Sequence, residues 1–278
     1  MFFTDRVKTG VSGFDELIEG GIPKGFNVLI TGLPGTGKTI FGLQYIYTGL
    51  ENGENGLYVS IDSKPELLKE QAKQFGMDFA QYEKDKKVTF LDVPADRLKV
   101  NLFDMIEEEA KEINATRIVF DSLAIFNVNI DQFLIPLSYS AGIDPQIQSE
   151  LSAVKGDKKY RYEIMPTFEQ DPKGRTFYTG GNEKRIVYLV INELSKLNTT
   201  NLIITDATQS GDQMTVDGVS EYVCDGVISF YNELIGAKHA RTVSVLKMRN
   251  TNNSPYIHDL EFNKEGIIIK PSEEVYRG

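Results

Sequence analysis

The chain has 278 residues, 41% hydrophobic and 25% charged, with 30 basic against 40 acidic side chains and a net charge of −10. Such a composition fits a soluble globular protein with room for a large core, as one elaborated domain or two small ones. The acidic balance argues against strong general affinity for nucleic acid or an anionic membrane, and the single cysteine, Cys224, excludes an internal disulfide. With only His239 and His258 beside that cysteine, no convincing zinc set can be assembled. Cys224 reads as a small buried residue next to a strand, and both histidines read as solvent-side residues of strands. The start Met-Phe-Phe-Thr-Asp-Arg-Val lacks the apolar core of a signal peptide, and no run reaches the length of a membrane span. The default expectation is a cytoplasmic protein.

In chain order, Asn27-Val28-Leu29-Ile30-Thr31 is a buried-strand run, and a helix continues from Ile40 until it closes near Gly53. Between them lies Gly32-Leu33-Pro34-Gly35-Thr36-Gly37-Lys38-Thr39, which fills every position of the phosphate-binding pattern G-x-x-x-x-G-K-[ST]. The glycines let the backbone wrap a triphosphate and aim its N–H groups inward. The following helix offers its N-terminus to the same anion. Lys38 supplies a charge for the β- and γ-phosphates, and Thr39 a hydroxyl for Mg²⁺. The implied ligands are ATP and Mg²⁺.

Further elements alternate. Gly56–Ile61 is predicted as a strand, and Pro65–Phe75 as a helix with Leu67, Leu68 and Ala72 on its apolar face. Lys87–Leu91 is a strand, Leu102–Ile113 an acidic amphipathic helix, and Arg117–Asp121 a buried strand ending in a carboxylate. Alternation of this kind predicts an α/β fold with a mainly parallel sheet flanked by helices, whose ligands sit beyond the carboxyl ends of the strands. Residues 127–181, with Pro136, Pro145, Pro166 and Pro172, break the rhythm and read as an inserted subdomain. A helix over Glu183–Leu197 and a strand over Asn201–Thr205 restore it. Strands over Gly226–Tyr231, Arg241–Met248, Tyr256–Phe262 and Gly266–Lys270 then follow. Their short connections, including Asn263-Lys264-Glu265-Gly266, predict antiparallel hairpins at the end of the sheet.

Several segments together resemble the KaiC branch of the RecA-type ATPases. They are Thr9-Gly10-Val11-Ser12-Gly13-Phe14-Asp15-Glu16-Leu17, Gly20-Gly21-Ile22-Pro23-Lys24-Gly25, the phosphate loop, and Ile118-Val119-Phe120-Asp121-Ser122, which resembles a Walker B strand. Gly218-Val219, Tyr222-Val223, Asp225-Gly226-Val227 and Lys247-Met248-Arg249 complete the set. The likeness covers nearly the whole chain except about 127–181 and implies one RecA-like ATPase domain over 1–278. The KaiC clock proteins carry two such domains in tandem and a phosphorylated Ser-Thr pair in the second; neither is matched here, so no circadian role follows.

The resemblance carries roles to particular residues. Asp121 helps Thr39 hold Mg²⁺, and Lys247 and Arg249 reach the γ-phosphate of a neighbouring subunit, like an arginine finger supplied in trans. The nucleotide-binding set is Gly32 to Ile40 (Gly32, Leu33, Pro34, Gly35, Thr36, Gly37, Lys38, Thr39, Ile40) with Lys247, Met248, Arg249, Thr251 and Asn253. Asp206, after a core strand, is a candidate sensor of nucleotide state. Where the family places two adjacent glutamates, this chain has Asp62-Ser63, so Asp62 is the candidate base, with Glu66 as a substitute and helix capping as the alternative role for Asp62. Trans-acting charges imply a homo-oligomer, and the family precedent is a hexameric ring. Three functions stay open at this point: a slow KaiC-like ATPase, a nucleotide sensor or scaffold with little turnover, and a RecA-paralogue recombination accessory protein. The acidic balance opposes the last of these. An unknown protein partner could dock on 127–181.

Overall fold

The computed structural model describes residues 5–61, 63–93, 102–123, 190–207, 220–235 and 238–270, and the backbone of 168–170 and 176–178. Strands β1 (Arg6–Val7) and β2 (Ile22–Pro23) pair with each other ahead of β3 (Asn27–Gly32). Helix α1 (Lys38–Glu51), β4 (Gly56–Ser60), α2 (Pro65–Lys73), α3 (Ala80–Lys84), β5 (Val88–Asp92), α4 (Leu102–Glu112) and β6 (Arg117–Asp121) follow. Next come a small antiparallel pair, β7 (Phe168–Gln170) with β8 (Thr176–Tyr178), a helical stretch over 190–195, and β9 (Thr200–Ile204). The chain then forms a short helix (Ser220–Val223), β10 (Gly226–Ile235), β11 (Lys238–Met248), β12 (Ile257–Asn263) and β13 (Gly266–Lys270).

The main sheet has nine strands in the order β13-β12-β11-β10-β3-β9-β6-β4-β5. From β10 to β5 every pairing is parallel, and from β10 to β13 every pairing is antiparallel. The predicted α/β class holds, with its mainly parallel sheet and C-terminal antiparallel strands. Strands β3, β4, β6 and β9 are buried along their whole length because alternate side chains feed two separate cores. Val28, Ile30, Tyr58, Val119 and Ile204 pack with Phe41, Tyr45 and Ile46 of α1. Leu29, Val59, Phe120 and Ile203 pack on the other side with Ile106 of α4 and with Val190 and Leu194. The crossover through α1 passes β9 and β6 to reach β4, so the carboxyl end of β3 opens on a crevice between non-consecutive strands.

Several expectations need revising. Leu67 is 59% exposed, and the buried face of α2 is Leu68 with Ala72. Strands β10 and β11 run four and three residues farther than expected, into a hairpin arm that pairs as far as Ile235 with Lys238. His258 is 3% exposed, not solvent-side, because β12 turns alternate residues inward. Its Nε2 lies 2.7 Å from Ser254 Oγ, and burial pushes its pKa below the usual histidine value. Cys224 is fully buried just ahead of β10, as expected. Within 127–181 the described residues are β7 and β8; the rest of that stretch lies outside them. No helix among the described residues is long and apolar enough to cross a membrane.

Candidate functional site

The phosphate-binding segment spans the end of β3 and the start of α1. Gly35 and Gly37 have φ of 78° and 109°, backbone conformations that side chains other than glycine's rarely adopt. At Gly37 a Cβ would also stand 2.8 Å from Phe262 Cζ. The loop is braced from within: Thr36 Oγ1 donates to the Leu33 carbonyl at 2.8 Å, and Phe41 N–H donates to that of Gly37 at 3.0 Å. From β11, Arg241 Nε donates to the Gly35 carbonyl at 3.3 Å, while its guanidinium lies 5.2 Å from the Phe262 ring centroid. Pro34 and Gly35 form the exposed crest of the loop. Ile40 is buried against the core, so only its backbone is available to an anion.

Two side chains at the start of α1 face acidic partners. Lys38, 8% exposed, donates to the carbonyls of Gly32 at 2.6 Å and Leu33 at 3.1 Å, and pairs with Asp206 Oδ1 at 3.0 Å. Thr39 Oγ1 donates to Asp121 Oδ2 at 3.0 Å, and the buried Tyr58 hydroxyl donates to the same oxygen at 2.7 Å. Asp121 ends β6 beside Ser60 of β4, and its carbonyl accepts from Ile61 N–H at 2.8 Å. A hydroxyl and a carboxylate in contact form a hard-oxygen donor set that fits Mg²⁺, which keeps several waters and takes few protein ligands. Among the described residues there is no group of three or more His, Cys, Asp or Glu residues suited to a metal.

Lys247 and Arg249 share one face of β11 and its end, but the structure does not bring them to this loop. Lys247 pairs with Val227, and Met248 with Gly226, which in turn lies opposite Val28 near the start of β3. The loop begins four residues farther along β3, about 13 Å away at ~3.3 Å per residue. Lys247 Nζ donates to the Cys224 carbonyl at 2.7 Å and, at 3.4 Å each, to those of Glu221 and Tyr222. Burial, and next the charge of Arg249, push the Lys247 pKa below the ordinary lysine value. Arg249, 52% exposed, pairs with Asp225 Oδ1 at 2.9 Å. The other carboxylate oxygen of Asp225 accepts from Asn27 N–H at 3.0 Å, so the pair hangs on the first residue of β3.

The remaining candidates divide. Met248 is buried over Gly226 and packs in the core. Thr251 Oγ1 accepts from Arg6 at 3.1 Å and donates to the Arg249 carbonyl at 3.2 Å. Asn253 Nδ2 donates to the Val245 carbonyl at 2.8 Å. Both shape the turn after β11. Asp62 lies outside the described residues. The capping position of α2 falls to Lys64, whose side chain makes no capping bond, and Glu66 is exposed on the first turn. Sequence reasoning missed Tyr58 and Arg241. Nothing local marks either one, since each reaches the site from a strand whose neighbours only the folded sheet defines.

Comparison with known proteins identifies the family. A family model described as "ATPase: KaiC" matches residues 7–133 and 180–274, leaving out the residues between. The chain is 29% identical over 96% of its length to circadian clock protein KaiC3 of Synechocystis, of which it spans 46%. It is 28% identical to a UPF0273 protein of Thermotoga maritima, with 96% of this chain and 97% of that one covered. The chain thus spans about half the length of the clock protein and nearly all of the shorter relative. Among solved structures, a KaiC-like protein of Pyrococcus horikoshii superposes with a TM-score of 0.71 at 30% identity, covering 96% of this chain and all of that one. With a phosphate loop at the carboxyl end of a buried parallel strand and the family match spanning most of its length, the chain belongs to the KaiC family of RecA-type P-loop ATPases.

Proposed function

We propose that this chain is a slow Mg-ATP hydrolase whose site is completed between copies in a closed ring, and that its nucleotide state serves a regulatory role. The reading is carried by one observation: Lys247 and Arg249 lie level with the start of β3, while Lys38 and Thr39 lie beyond its end. A chain cannot lay its own cation pair on its own phosphate loop. Head-to-tail contact of one copy's donor face with the next copy's loop supplies them, and repetition of one such contact closes a ring or runs as a filament; the family precedent favours a ring of six copies.

In this reading the loop N–H groups and Lys38 hold the β- and γ-phosphates, while Lys247 and Arg249 of a neighbour neutralise charge in the transition state. Thr39 and Asp121 would hold Mg²⁺, which would supply charge neutralisation for the phosphates. Tyr58 orients the Asp121 carboxylate. Asp62 positions the attacking water, from one methylene farther back than a glutamate would. That shortening favours slow turnover, because a displacement of about 1 Å can cost on the order of 100-fold. It is also the observation behind the second reading, a nucleotide sensor or scaffold with little hydrolysis. We read residues 127–181 as an insertion within one domain and as the face for a protein partner; the gap in the family match supports this. We place the protein in the cytoplasm.

Mixing two variants tests the shared site. Lys38→Ala retains the donor pair, and the double variant Lys247→Ala, Arg249→Ala retains the loop. Each alone should be inactive, and an equimolar mixture should recover about a quarter of wild-type turnover, since one contact in four joins two intact halves. A mixture no more active than its components overturns the shared site.

A further inference from the structure

Asp206 is not accounted for by holding phosphate, metal or the trans-acting charges. Its neighbours fix its place: Thr205 N–H donates to the Ile30 carbonyl at 2.9 Å, and Ala207 N–H to that of Gly32 at 3.3 Å. The backbone on either side of Asp206 is therefore tied to β3 and to the first residue of the phosphate loop. From that position the carboxylate pairs with Lys38 at 3.0 Å while remaining 39% exposed. An ammonium has three N–H donors, and the Lys38 amine meets three acceptors: two loop carbonyls and Asp206.

A triphosphate can engage Lys38 only by taking over at least one of those positions or by sharing a donor. Two anions that share one ammonium at ~3 Å stand about 5 Å apart. The carboxylate therefore faces any phosphate oxygen that reaches the amine, and like charges at that separation repel. The penalty grows with ligand charge. A metal-free triphosphate carries about four negative charges and its magnesium complex about two, so the same carboxylate opposes the metal-free form more strongly. The solvent-facing position of Asp206 moderates the effect without removing it.

We propose that Asp206 is a specificity-determining residue that makes the loop select metal-complexed over metal-free nucleotide, with Lys38 as the charge over which carboxylate and phosphate compete. The proposal rests on nucleotide binding at residues 32–39 and is independent of the ring.

The test is calorimetric titration of the full chain with a non-hydrolysable ATP analogue, once with excess Mg²⁺ and once with EDTA. Asp206→Asn should tighten metal-free binding about tenfold and metal-complexed binding about threefold or less, lowering the preference for the complex. Asp206→Ser, which removes the charge with a different shape, should do the same, and Asp206→Glu should keep the wild-type preference. General damage to the loop would weaken both forms together and leave their ratio alone. An unchanged ratio, or weaker metal-free binding in both neutral variants, overturns the role of Asp206 while leaving the loop assignment intact. A wild-type chain that binds neither form overturns both.

Discussion

The two ends of the central sheet handle charge in opposite ways. At the carboxyl end of β3, Lys38 pairs with Asp206, while Thr39 and Tyr58 both donate to Asp121, all within a single chain. At the other end, Lys247 and Arg249 are held from behind by helix-end carbonyls and by Asp225, and Arg249 is half exposed. The first end carries two carboxylates against one ammonium, with Asp206 paired to Lys38 and Asp121 held by two hydroxyls. The second holds two neighbouring cations with one direct carboxylate partner among the described residues, an arrangement suited to receiving more negative charge. Binding machinery can be assembled locally by a strand, a turn and a helix. A transition-state charge donor need only be rigid and point outward.

The comparison can be broken most decisively at the donor end. Replacing Lys247 and Arg249 together with alanine should lower turnover about 1,000-fold, the scale of losing an arginine finger, while nucleotide binding to the loop changes little. Equal losses in binding and turnover would mean that the two ends are not separate in function. At the loop end, Tyr58→Phe removes a hydrogen bond onto Asp121 Oδ2. The Mg²⁺ concentration for half-maximal turnover should rise about tenfold, as for other groups that orient a metal ligand. No rise would leave Tyr58 as a packing residue only.

The smallest expected effect concerns pH. Because burial and Arg249 depress the Lys247 pKa, its positive charge is lost as pH rises through a value below that of an ordinary lysine. Turnover should therefore fall on the alkaline side earlier than free lysine chemistry predicts. Lys247→Arg, which stays charged throughout, should extend the alkaline limb even if its maximum is lower. Coincident pH–rate profiles would remove Lys247 from the charge accounting.

The loop end was legible in sequence because its chemistry is local. Gly32 to Thr39 specify backbone shape, anion donors and a metal hydroxyl within one turn, and the buried run before them fixes the strand. Asp121 was legible as the end of an apolar run. The contacts of Lys38 with Asp206 and of Asp121 with Tyr58 were not, since they depend on β9 and β4 lying where they do in the strand order. The inward turn of His258 and the exposure of Leu67 likewise follow from which face each element presents, and periodicity over a short segment leaves that open. The hairpin arm of β10 and β11 runs past its expected limit because cross-strand pairing carries the ladder through residues of low strand propensity such as Asn232 and Glu233.

The proposed split of donor and acceptor, at the end of β11 and beyond the end of β3, has an arithmetic consequence. On the shared-site proposal, a lone copy owns two half-sites and no whole one. An open row of n copies owns n − 1 whole sites, and closing the row adds the last. Specific activity then depends on protein concentration, steeply near the point where rows form and hardly at all once they are closed. Cellular abundance of the chain would itself act as an input, read out as hydrolysis per molecule.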